Sequence, residues 1–148
     1  MLFRSFAKEV DEFIGIDLSP RMIERARATG LYAELEVADM VEGLRGKSDA
    51  SADLILAADA MVYVADLAPV LGEAARVLAP GGLLAFTVET HQGCGVRIGG
   101  GLRYAHGEAY VRAQLEAAGL ILAHCENLSA RNEDTVPVPG LVVVATKA

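Results

Sequence analysis

The 148 residues suffice for one domain with its own core, and 53% apolar against 22% charged residues excludes a disordered chain. Thirteen Lys and Arg against twenty Asp and Glu leave a net charge of −7, which repels polyphosphates and argues against nucleic acid as a partner. Cys94 and Cys125 are too few for a disulfide framework, no apolar stretch reaches the ~20 residues of a membrane span, and residues 1–10 lack a signal core. A single soluble, cytoplasmic domain spanning residues 1–148, with free thiols and no membrane partner, is expected.

Strand-like and helix-like segments alternate, which is the α/β signature. Phe13–Ile16 is a short apolar run ending in Asp17, the profile of a buried parallel strand. Ser19-Pro20 predicts a helix start, because Ser caps well and Pro suits the first helical position; the helix stops before Gly30. Leu35–Ala38 reads as a strand ending at Asp39, Gly43–Ala52 as a loop, and Leu54–Ala57 as a strand ending near Asp59. Asp66 caps a helix whose apolar residues, Leu67, Val70, Leu71, Ala74, Val77 and Leu78, fall on one face; Pro80-Gly81-Gly82 ends it. Leu83–Val88 follows as a strand, Gly93–Gly101 as a glycine-rich loop, and residues from about Gly107 to Ala118 as a helix. Leu120–Ala123 and Leu141–Ala145 suit an antiparallel pair at one sheet edge.

Ligands of open parallel sheets collect at the carboxyl ends of the strands, where Asp17, Asp39 and Asp59 stand. A carboxylate there can accept hydrogen bonds from a ribose diol or an adenine amine. One such Asp is commonly a turn former, but three in successive units form a pattern.

The blocks FIGIDLSP (13–20), LEVADM (35–40), DLILAADAMVYV (53–64) and RVLAPGGLLAFTVE (76–89) resemble the class I S-adenosylmethionine-dependent methyltransferases. The resemblance implies a Rossmann-like α/β sheet, mostly parallel with an antiparallel C-terminal strand, S-adenosyl-L-methionine as cofactor, and methyl transfer to an acceptor. It assigns Asp17, with Leu18 beside it, to the ribose hydroxyls and Asp39, with Met40, to the adenine. Asp59, in the stretch that borders the methyl-transfer site, is implied as a further cofactor-binding residue. The Asn/Asp-Pro-Pro-Tyr/Phe motif of base methyltransferases is absent, which with the acidic charge favours a small-molecule acceptor.

The family's first strand and its GxGxG loop have no counterpart before Phe13, so the expected sheet lacks that strand. The strands ending at Asp17 and Asp59 would then pair directly, or a second copy of the chain would cover the gap. The glycines at 93–101 do not spell GxGxxG and read better as a lid over the substrate pocket. His91, His106 and His124 are too scattered for a metal motif. His106 and His91 are the candidate bases toward an acceptor, His124 is structural, and Tyr63 and Tyr104 are candidate pocket residues. Two alternatives stay open: a shortened, inactive relative with an association role, and a nucleotide-dependent oxidoreductase.

Overall fold

The computed structural model describes residues 9–129, 132–133 and 135–148. The chain divides into two compact units, one up to Gly46 and one covering Lys47–Ala148. No helix among the described residues is long and apolar enough to cross a membrane.

In the first unit, β1 (Ile14–Asp17) and β2 (Glu34–Val37) pair in parallel, joined by helix α1 (Pro20–Arg27). The Ser19 hydroxyl accepts from the Met22 N–H at 3.4 Å, and Pro20 takes the first helical position as its fixed φ allows. A helix absent from the sequence reading, α2 (Met40–Arg45), follows β2. Its start is set by Asp39, whose Oδ1 accepts from the Val41 N–H at 2.9 Å. Gly43 lies inside it because a Cβ there would come within 2.6 Å of the Ile16 side chain, so only glycine lets α2 settle on β1. The expected loop therefore begins after α2.

The second unit is built on a six-stranded sheet. Its strands are β3 (Ala52–Ala57), β4 (Leu78–His91), β5 (Val96–Ile98), β6 (Tyr104–Gly107), β7 (Leu120–Asn127) and β10 (Gly140–Lys147). The order is β5-β6-β4-β10-β7, with β3 also on β4. β3 and β6 run parallel to β4, whereas β10 runs antiparallel to both β4 and β7. The antiparallel C-terminal pair thus stands at one edge as expected. A two-residue pair, β8 (Asn132–Glu133) with β9 (Val136–Pro137), lies in the loop before β10.

Helix α3 (Ala68–Val77) buries Val70, Leu71, Ala74 and Val77, and α4 (Glu108–Ala117) buries Val111 and Leu115. They meet the inward face of the sheet, where Leu84, Phe86 and Val88 of β4 stand opposite Ala145, Val143 and Leu141 of β10. All six are buried, each large one contributing roughly 1.5–3 kcal/mol by leaving water. Asp66 does serve the start of α3, accepting from the Ala68 N–H at 3.0 Å, and the helix ends at Val77. Pro80-Gly81-Gly82 is then not a loop but a bulge in β4: between matched pairs, β3 advances two residues while β4 advances five.

Two corrections concern the sheet. The loop expected at 93–101 contains β5, which pairs antiparallel with β6; strands of three and four residues are too short for their alternation to stand out in the sequence. Among the described residues β1 pairs only with β2 and β3 only with β4, so the expected direct pairing of these strands does not occur.

Candidate active site

In the first unit the two acids after strands have the same local geometry. The half-buried Asp17 turns back on its own backbone, its Oδ1 accepting from the Ser19 N–H at 2.8 Å. The exposed Asp39 does the same with Val41. Each carboxylate spends one oxygen on its turn, and the other has no partner among the described residues. A carboxylate oxygen accepts hydrogen bonds, the chemistry that a ribose diol and an exocyclic amine require. Leu18 beside Asp17 is 72% exposed, an apolar side chain offered outward next to a polar one. Met40 is half-buried at the first turn of α2. These residues fit the adenosine part of S-adenosylmethionine.

The second unit organises Asp59 differently. Its backbone is left-handed, with φ 55°, a conformation uncommon for a residue other than glycine. The Thr87 hydroxyl fixes that turn by accepting the Asp59 N–H at 2.9 Å. The carboxylate, 62% exposed, is bound by the guanidinium of Arg103. Arg103 also donates from Nε to Glu89 at 2.5 Å and from Nη1 to the Tyr63 hydroxyl at 2.9 Å. Its guanidinium carbon lies 5.1 Å from the centroid of the Tyr63 ring. Burial works against the charge on Arg103, but the bonds to Asp59 and Glu89 outweigh it and hold its pKa above the ordinary value. Neither Arg103 nor Glu89 announces itself in the sequence, since each is a single charge, one at the end of an apolar run and one after three glycines and a leucine. Tyr63 is exposed, and Tyr104, half-buried in β6, pairs with Ile98 of β5.

The histidines are engaged by the fold. His91, the last residue of β4, accepts from the Gly93 N–H through Nδ1 at 3.0 Å and meets the Gly95 carbonyl through Nε2 at 3.2 Å. That pattern assigns the proton to Nε2 and makes the ring a staple for the turn at 93–95. His106 is wholly buried in β6, with Nε2 2.9 Å from the Val64 carbonyl and Nδ1 without a partner among the described residues. Its ring stacks on Tyr110 of α4 at 5.8 Å between centroids. Burial pushes its pKa down, against the opposing pull of the Val64 and Ala65 backbone, so the ring is held neutral. A base needs hydrogen-bond reach to its substrate; His106 is wholly buried, and both ring nitrogens of the half-buried His91 meet the backbone of the 93–95 turn. His124 is exposed on β7, 3.4 Å from Glu126.

A family model described as a methyltransferase domain matches residues 1–86. No curated protein matches the chain. Among solved structures, an S-adenosylmethionine-dependent methyltransferase from Methanosarcina mazei is 17% identical, with a TM-score of 0.75 over 97% of this chain and 85% of that one. One from Mesorhizobium loti is 21% identical, with a TM-score of 0.75 over 99% of this chain and 86% of that one. The 1,6-didemethyltoxoflavin-N1-methyltransferase of Burkholderia thailandensis, solved with bound 1,6-didemethyltoxoflavin and S-adenosylhomocysteine, is 16% identical, with a TM-score of 0.75 over 98% of this chain and 65% of that one. At such identities the structures speak for the fold, which is Rossmann-like, while the family match covers more than half of the sequence. The chain belongs to the methyltransferase-domain family.

Proposed function

We propose that the chain transfers the methyl group of S-adenosylmethionine to a small-molecule acceptor. Asp17 accepts the ribose hydroxyls and Asp39 the adenine amine, with Leu18 and Met40 as apolar flanks. Asp59, Tyr63 and Tyr104 belong to the acceptor side. The observation that carries this reading is the shared geometry of Asp17 and Asp39, each with one oxygen committed locally and one left to accept.

When bound, the cofactor supplies a methyl group already activated on a sulfonium sulfur. The side chains therefore need only bind, orient and exclude water, and no protein nucleophile is required. Charge-assisted bonds to the ribose hold the adenosine end, while the acceptor side fixes the direction of attack. The absence of a local Lys/Arg stripe in an acidic chain supports a small acceptor over a nucleic acid. The test is calorimetric titration with S-adenosylhomocysteine. Binding by the wild-type chain, weakened by Asp17→Ala, supports the assignment; equal affinity removes Asp17 from the site.

A further inference from the structure

The connection from β3 to α3 carries Asp59 and Tyr63, and side chains from other elements hold it at both ends. At its start, the Asp59 N–H donates to the Thr87 hydroxyl at 2.9 Å; Thr87 stands in β4 one residue beyond the last β3–β4 pair, Ala57 opposite Phe86. At its end, His106 of β6 meets the Val64 carbonyl through Nε2 at 2.9 Å. Tyr110 of α4, stacked on the His106 ring, accepts the Leu67 N–H at 3.1 Å and donates to Asp66, the cap of α3, at 3.3 Å. Between these anchors, one turn of 3-10 helix at Met61–Tyr63 buries Met61 and Val62 and leaves Tyr63 exposed.

Each anchor carries a local cost. Asp59 keeps a left-handed backbone, φ 55°, which a residue other than glycine holds only when its surroundings impose it. His106 is wholly buried with Nδ1 unpartnered among the described residues, and a buried polar atom without a partner is unfavourable. Simpler residues would shed these costs and lose the anchors. His106→Leu would remove the orphan nitrogen but could not donate to Val64, and Thr87→Val would keep the shape of the side chain but could not accept from Asp59. Strain of this kind persists where the surrounding structure over-determines it, and it gathers where geometry serves a ligand.

We propose that Thr87 and His106 are positioning residues, which from β4 and β6 hold the two ends of the β3–α3 connection and so fix where Asp59 and Tyr63 stand on the acceptor side. This rests on the reading of Asp59 and Tyr63 as acceptor-side residues. His106 acts through its Nε2–H on the Val64 carbonyl, a use of the imidazole that moves no proton. Thr87 acts through the one bond it accepts. Methyl transfer depends on the direction of approach, and a misplacement of about 1 Å can cost ~100-fold in rate, so a wall held at two points serves the reaction without either anchor touching the substrate.

The experiment labels the chain with 3-fluorotyrosine and follows Tyr63 by fluorine NMR; there are four tyrosines, and Tyr63→Phe identifies the signal. The ring of Tyr63 lies 5.1 Å from the guanidinium carbon of Arg103, which sets its signal apart from that of the chain unfolded in urea. Thr87→Val should move the signal toward its position in urea, and Thr87→Ser should restore it. His106→Phe, which keeps a flat ring against Tyr110, should move it likewise, and His106→Gln, which keeps a donor for Val64, should restore it in part. Where a His106 variant does not fold, the two Thr87 variants decide. An unmoved signal in Thr87→Val overturns the proposal. So does an equal shift in Thr87→Val and Thr87→Ser, which would report packing and not the hydroxyl bond. A folded His106→Phe with the wild-type signal overturns the role of His106. S-adenosylhomocysteine titration separates the two readings: no binding by wild type overturns the function proposed above whatever Tyr63 does, and binding with an unmoved Tyr63 signal overturns the positioning alone.

Discussion

Asp17 and Asp39 share with Asp59 a position just after a strand, yet the two groups live differently. The first two fold back on their own turns and keep an oxygen for an outside donor. Asp59 is held by a guanidinium 44 residues further along the chain. The first arrangement is local and can be read from a few neighbouring residues. The second depends on tertiary structure. It teaches that the same sequence pattern can supply a binding group in one place and an electrostatic lock in another.

The largest expected effect breaks the lock. Arg103→Ala takes one ion-pair partner from the nearly dry Glu89, and breaking such a pair costs about 3 kcal/mol. A denaturant midpoint that stays unchanged would show that the lock contributes nothing to folding. Next comes Asp17→Ala, which should cost about 1.5–3 kcal/mol of S-adenosylhomocysteine affinity and, through the lost bond from the Ser19 N–H, about 0.5–1 kcal/mol of stability. Asp39→Ala should show the opposite balance in part, since it also removes the N-cap of α2, worth about 1 kcal/mol. Comparing the thermal shifts of these two variants sharpens the contrast between ligand group and cap. Tyr63→Phe is the mildest, with the ring contact to Arg103 kept and one exposed hydrogen bond lost, about 0.5–1 kcal/mol.

His106 gives a pH signature in the same unit. Its folded pKa lies below the ordinary value of 6.5, so the unfolded chain binds the proton more readily. Its contribution to stability is therefore present at higher pH and is lost as pH falls through about 6.5. His106→Gln should flatten the dependence of the urea midpoint on pH across this range. A slope equal to that of wild type would assign the effect to other groups.

Much of the fold was legible because its signals are local. Ser19-Pro20 starts α1, the spacing of Val70, Leu71, Ala74 and Val77 makes one face of α3, and the apolar run Leu141–Ala145 marks β10. β6 was missed because Tyr104–Gly107 is short and carries a histidine, so its pairing with β4 is decided by the sheet and not by its own residues. α2 was missed because Gly43 reads as a breaker until the Ile16 side chain packed against it is seen. Of the site, the three acids were visible and their partners were not. The pair Glu89–Arg103 and the burial of His106 arise from residues far apart in sequence, where periodicity carries no information.

The position of β10 has a consequence for the order in which the molecule is assembled. This strand, made after all the others, lies between β4 and β7 and hydrogen-bonds to both. Until it emerges from the ribosome, β4 and β7 each present an open edge with no strand to satisfy it. A nascent chain halted in the loop around Pro137 and Pro139 should therefore be the species most prone to pair with its neighbours. The insertion of β10 joins pieces of distant origin, such as Thr146 opposite Leu83, and such long loops close slowly. The commitment step in folding is thus expected to be this late insertion, and strengthening β10 should quicken folding more than it slows unfolding.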